Sequence, residues 1–213
     1  MPKEKAGRSR GRPVQSEQDL AEMRAHIAAC ALRLFQEDGY QAVSMRRLAS
    51  EAGCTVMTLY RYYERKIDIL RALWGDVFEE LFGLIDQTAS EALLSSDTKS
   101  PRDRLEAISN AYVSYWLDRR EHYFLVFMSS GVSQNDVSVF VGDDQAVARF
   151  GVFFDALGLA LGGTASEEDL MVKAQLLLCS LNGIAHNLIT ISAYPWVDPE
   201  ILVKAAVSGV IDA

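Results

Sequence analysis

Cysteine and histidine are both scarce in this chain. Cys30, Cys54 and Cys179 stand far apart with no C-x-x-C spacing, so neither a disulfide framework nor a cysteine-bound metal is expected. They read as reduced, mostly buried small hydrophobes; a reactive thiol would need a local base or helix terminus that the sequence does not display. The histidines His26, His122 and His186 form neither H-x-x-x-H nor H-E-x-x-H, so no metal site is expected. G-x-S-x-G, G-x-x-x-x-G-K-[ST] and G-x-G-x-x-G are missing as well, and with them the usual signatures of catalysis and of cofactor binding. Long apolar runs are also lacking. The richest, residues 176–191, contains Asn182, His186 and Asn187, and the run around Phe153 is broken by Asp155, which excludes a membrane-spanning helix. The basic N-terminus lacks the apolar segment of a secretory signal, and a cytoplasmic protein is expected.

What remains is a chain of 213 residues, 49% hydrophobic, enough for one sizeable core or one plus a satellite domain. Its net charge of −8 is unevenly spread: residues 1–66 carry an excess of cations and residues 67–213 a large excess of acids, so one end attracts polyanions and the other repels them. Residues 1–16 are Gly, Arg, Lys, Pro and Ser with few apolar side chains, which predicts a flexible basic arm. From Leu20 onward Met23, Ile27, Ala31, Leu34 and Phe35 recur at helical spacing and Gly39 ends the pattern. Ser44 has the character of an N-cap, with Val43 and Leu48 as its hydrophobic staple, and Gly53 and Thr55 break and restart the chain. A long amphipathic pattern from Ile69 to Ile85 follows, then starts at Ser100-Pro101, Ser166 and Asp198-Pro199, and a stop at Gly162-Gly163. With no sustained strand alternation, the expectation is an all-α fold of about nine helices: an N-terminal three-helix unit over residues 17–66 and a larger helical domain over residues 67–213.

Two short helices joined by a tight Gly-containing turn form a helix-turn-helix, whose second helix enters the major groove of DNA. Residues 44–66, "SMRRLASEAGCTVMTLYRYYERK", fit this in residue type. Ala49 and Gly53 are small where helices approach, Leu48, Cys54, Leu59 and Tyr63 supply an apolar side, and cations, hydroxyls and tyrosines remain for the outer surface. The longer stretch "IAACALRLFQEDGYQAVSMRRLASEAGCTVMTLYRYYERKIDILRAL", residues 27–73, resembles the DNA-binding domain of TetR-family transcriptional regulators through "ALRLFQEDGY", "SMRRLA", "EAG", "TLYRYY" and the following Lys.

The resemblance implies a cytoplasmic homodimer, most simply a repressor, that reads a near-palindromic operator on double-stranded DNA and is released by a small-molecule effector, without a cofactor. It implies that Ser44 donates to a phosphate at a helix N-terminus, that Arg46 reaches a base edge, and that Tyr60, Tyr62 and Lys66 reach phosphates. Thr55, Val56, Met57 and Thr58 lead the recognition helix. Where the family often carries a polar Ser-Lys-Gly run this chain has Thr55, Val56 and Met57, so base reading should lean on apolar contacts together with Arg46 and Arg61. In the arm, "RGRP" resembles an AT-hook core, and Arg8, Arg10 and Arg12 are expected either at a minor groove or phosphates, or simply in a solubilising tail.

In the larger domain the helix through residues 176–191 is apolar nearly all round, so one face should meet its own core and another a second copy of the chain. Together with the last helix, which carries Ile201, Leu202, Val207 and Ile211, it resembles the dimer interface of the family. One polar stripe, Gln175, Cys179, Asn182 and His186, runs along it. Two readings stay open: the stripe orients an apolar or aromatic effector, or it hydrogen-bonds across the interface and to nearby backbone. Tyr112, Trp116, Phe127, Phe153 and Phe154 are the opposing walls in the first reading and plain core in the second. A small-molecule-binding helical protein without sequence-specific DNA binding, and non-specific binding through the arm alone, remain as rivals.

Overall fold

A computed structural model describes residues 16–94, 100–133 and 149–212, and these residues hold nine helices and no strand. The first, α1 (Glu17–Asp38), opens on a capping box: the Ser16 hydroxyl accepts from the Asp19 N–H at 3.1 Å and the Asp19 carboxylate accepts from the Ser16 N–H at 3.0 Å. It ends at Gly39, whose φ of +81° only glycine adopts freely. Ser44 and Thr55 cap α2 (Met45–Glu51) and α3 (Val56–Tyr62). The long α4 (Lys66–Leu94) follows, and α5 (Pro101–Asp118) starts on a second capping box between Ser100 and Asp103 with proline in its first turn. The remaining elements are α6 (Arg120–Phe127), α7 (Gly151–Ala160), α8 (Glu167–Thr190) and α9 (Pro199–Ile211). Part of the helical pattern expected before Leu161 lies outside the described residues.

The fold is all-α, with the helix-turn-helix at its N-terminal end. One buried apolar cluster runs from Ile27 in α1 through Leu48, Leu59 and Leu70 to Leu181 and Val207. Within it α5 is central, packing against α4, α7, α8 and α9, which is why Leu105, Ile108, Tyr112 and Trp116 are almost wholly buried. The head, α1–α3, is tied to the rest by α4, which packs on both α1 and α5. The Trp74 indole N–H of α4 donates to the Leu125 carbonyl at the end of α6 at 3.1 Å, out of solvent, so α4 and α6 cannot slide independently without stranding a buried donor. Among the described residues no helix is long and apolar enough to cross a membrane.

The cysteines depart from expectation. Cys30 is buried, but Cys54 is half-buried and Cys179 exposed. Cys54 lies in the tight turn and Cys179 on a surface row of α8 that no described residue covers.

Candidate nucleic-acid interface

The turn between α2 and α3 closes on itself. The Ala52, Gly53 and Cys54 N–H groups donate to Leu48, Ser50 and Ala49 carbonyls, and Gly53 takes a φ of +63°, so a residue without a β-carbon is needed where the chain reverses. Thr55 then restarts the helix: its hydroxyl accepts from the Thr58 N–H at 3.1 Å and pairs with the Thr58 hydroxyl at 2.9 Å. Ion pairs hold α1 beside α2, Arg47 with Asp38 at 2.6 Å and Arg33 with Glu51 at 2.8 Å.

Helical spacing divides α3 into two rows. Met57, Tyr60 and Arg61 stand at i, i+3 and i+4 and face outward, Met57 80% and Tyr60 50% exposed. Leu59, Tyr62 and Tyr63 stand at the same intervals and face the core, Tyr62 only 6% exposed. Val56 and Thr58 are half-buried between the rows, and Ser44, Arg46 and Thr55 are exposed beside them. Arg46, Tyr60 and Arg61 have no hydrogen bond or ion pair with any described residue. The Ser44 hydroxyl accepts from the Arg47 N–H at 3.2 Å, which leaves its own proton to donate.

Two expected phosphate contacts turn inward instead. The Tyr62 ring belongs to the core cluster, because three residues beyond Leu59 a side chain on so short a helix shares the buried row. Arg24 of α1 fixes that row from behind: its guanidinium donates to the Tyr62 carbonyl at 3.1 Å and lies over the Tyr63 ring, while the Tyr63 hydroxyl donates to the Arg24 carbonyl. Lys66 does open α4 as expected, but its ammonium donates to the Tyr40, Val43 and Gln41 carbonyls at 2.6, 2.8 and 3.4 Å and sits 4.2 Å from the Tyr40 ring centre. The link between α1 and α2 has no helix to use those carbonyls, and a three-donor ammonium satisfies them. Burial pushes the Lys66 pKa below its ordinary value. Arg24 and Tyr40 were not singled out in the sequence, since their partners lie 38 and 26 residues away. Arg8, Arg10 and Arg12 lie outside the described residues.

In the larger domain the polar stripe of α8 splits. Asn182 and His186 find partners in their own chain: the Tyr112 hydroxyl donates to the Asn182 carbonyl oxygen at 2.7 Å, and Tyr123 and His186 share a hydrogen bond of 2.8 Å between Oη and Nδ1. Gln175 and Cys179 are exposed. Burial raises the Tyr112 pKa, so its phenol stays protonated and donates. Trp116 and Phe153 are buried against Tyr112 edge to face, and Phe154 is half-buried against the same cluster. Phe127 packs on Trp116 and Tyr123 yet leaves 43% of its surface in solvent. Burial and then the neighbouring Cys30 push the Cys54 thiol pKa upward, away from the reactive range.

The sequence profile described as bacterial regulatory proteins, tetR family, matches residues 27–73. The HTH-type transcriptional repressor KstR of Mycolicibacterium smegmatis is 36% identical over 81 residues, 36% of this chain and 40% of that protein. The HTH-type transcriptional regulator AcrR of Shigella flexneri is 30% identical over 94 residues, 44% of this chain and 40% of that protein. The matches thus span about two-fifths of the length of these curated relatives. Among solved structures, a bacterial regulatory protein in the tetR family from Rhodococcus RHA1 has a similar fold, with a TM-score of 0.61 over 93% of this chain and 97% of that chain at 18% identity. The matched segment is the one whose caps, turn and two-rowed α3 form the head, and it is through this head that the chain matches the tetR family of bacterial regulatory proteins.

Proposed function

We propose that the protein is a ligand-responsive transcriptional repressor that binds a near-palindromic operator as a homodimer and is released by a small apolar or aromatic effector. The observation that carries this is the outward row of α3. Met57, Tyr60 and Arg61 of that row and Arg46 of α2 are all exposed, and these two cations, thioether and phenol suit a duplex: Arg46 for bidentate contact with a guanine edge, Met57 for thymine methyls, Tyr60 and Arg61 with Ser44 for phosphates. The printed names of KstR and AcrR, a transcriptional repressor and a transcriptional regulator, point the same way.

Dimerisation is supported by the face that α8 and α9 leave uncovered. Val172, Leu176 and Ile201 are each more than half exposed, while Leu177, Leu181, Val203 and Val207 of the same helices are buried in the core, so both helices present apolar side chains that no described residue covers. Two heads held by such a pair would read half-sites about 34–36 Å apart or a multiple of that spacing. The effector reading rests on the aromatic interior around Tyr112, Trp116 and Phe153, with Asn182 as its polar group. An effector that binds better to one separation of the heads shifts operator affinity by that difference alone.

Fluorescence anisotropy with an operator selected from genomic fragments, and with a scrambled duplex, tests the reading. A specific complex is expected whose affinity falls steeply with salt. Arg46→Ala should lose about 1–3 kcal/mol of discrimination between the two duplexes. Equal affinity for both duplexes in the unmodified protein would overturn sequence-specific recognition.

A further inference from the structure

Between the head and the larger domain lies a cleft of about 280 Å³, apart from the α3 surface, the α5–α8 interior and the apolar face of α8 and α9. One wall is the end of α1 and the link after it, with Phe35, Gln36, Gly39 and Tyr40. The other is α6 and its exit, with Glu121, Phe124, Leu125 and Met128. Its chemistry follows from what these groups leave unused. Phe35 and Tyr40 meet edge to face with ring centres 5.2 Å apart and show only their edges at the floor of the cleft, being nearly buried, whereas Phe124 and Met128 keep 46% and 49% of their surface in solvent, so the open apolar surface is chiefly that of α6 and its exit. Glu121 is exposed and has no hydrogen bond or ion pair with any described residue. Lys66, the cation nearest the Tyr40 ring, is spent on backbone carbonyls. The exit of α6 is fixed against the link: Gly131 has a φ of +82°, and a β-carbon there would overlap the Gln41 side chain.

We propose that this cleft binds a small aromatic ammonium compound, its apolar part against Phe35, Tyr40, Phe124 and Met128 and its cation beside Glu121. Aromatic rings and one unpaired carboxylate recognise an organic cation by two independent attractions. An anion meets the carboxylate's repulsion, and a neutral compound forgoes the charge. The volume suits a single-ring compound, lying just under the range of drug-sized pockets. Because one wall belongs to the head and the other to the larger domain, occupancy bears on how the head is held. The Tyr40 and Gln41 carbonyls gripped by Lys66 begin the link that leads to Ser44 and α2. This regulatory consequence rests on the operator-binding reading above; the binding site itself does not.

The test uses the full chain, benzyltrimethylammonium as the probe and neopentylbenzene as its uncharged carbon isostere, followed by NMR of the methionine methyl groups. The Met128 methyl should shift with either compound. Glu121→Gln should weaken the ammonium by roughly tenfold and leave neopentylbenzene unchanged, whereas Phe124→Ala should weaken both. Both substitutions are at exposed positions, and an unchanged melting temperature verifies that the fold is kept. Equal ammonium affinity in the protein and in Glu121→Gln, or shifts that spare Met128, would overturn the site. These titrations need no DNA, so they decide the site whatever the operator measurements give. Repeated on the operator complex, the ammonium affinity should change by about fivefold or more; an identical value would overturn the coupling.

Discussion

The head has an outer surface and a junction with the larger domain, and the two differ in whether their polar groups are already engaged. On the outer surface Arg46, Tyr60 and Arg61 have no partner among the described residues. At the junction Lys66 uses its ammonium on three carbonyls and a ring, and Arg24 grips the end of α3. Cations are present on both, so residue type alone does not mark an interface with DNA. What marks it is a cation or phenol that the protein leaves unsatisfied, because such a group gives up only water when a phosphate or base arrives. The junction does the complementary work of holding the outer surface in one orientation.

The sharpest way to break this contrast is within α3. Tyr62→Ala removes a buried ring and should cost about 3–5 kcal/mol in a urea melt, taking DNA binding with it only through unfolding. Tyr60→Ala, two residues earlier, should leave the melt within about 0.5 kcal/mol of the unmodified protein and weaken binding to all duplexes alike. If the two variants exchange these behaviours, the assignment of the rows is reversed.

Lys66 gives the next largest effect. Lys66→Met keeps the stem over Tyr40 but strands the Tyr40 and Val43 carbonyls, with an expected loss of about 2 kcal/mol of stability. Its salt dependence separates positioning from phosphate contact. A phosphate-binding lysine contributes about one unit to the slope of log affinity against log salt. For an ammonium already spent inside the protein, affinity falls while the slope stays as it was. A slope reduced by about one would return Lys66 to the DNA-contacting set.

The contrast also explains which parts of the molecule could be read from the sequence. Helix starts were legible because their signals are local: Ser44, Thr55, Ser100, Ser166 and Asp198 all cap the helices expected of them. The Ser16–Asp19 capping box that starts α1 is equally local, although it sits at the edge of the basic arm. Tyr62 was legible in principle, since its spacing from Leu59 already assigns it to the buried row. Lys66 was not, because its use depends on carbonyls 23 to 26 residues earlier, which no local pattern reveals. The partners of the stripe on α8 are hidden from the sequence for the same reason. Asn182 and His186 are engaged by tyrosines 70 and 63 residues away, although His186 is exposed like Gln175 and Cys179 on the same nominal face.

The smallest expected effect concerns Thr55, which stands on both sides of the comparison. Its side chain is exposed at the leading end of α3, where a DNA contact is expected, yet its hydroxyl already accepts from the Thr58 N–H. If capping is its role, Thr55→Ala should lower stability by about 1 kcal/mol and weaken operator binding only through fraying of the first turn of α3. Thr55→Ser preserves the oxygen and removes the methyl, so it should restore both the melt and the affinity. A direct base contact through the methyl predicts the opposite split, with stability kept in the serine variant and discrimination lost. Measuring both variants by urea melt and by anisotropy therefore decides whether Thr55 orients the recognition helix or reads with it.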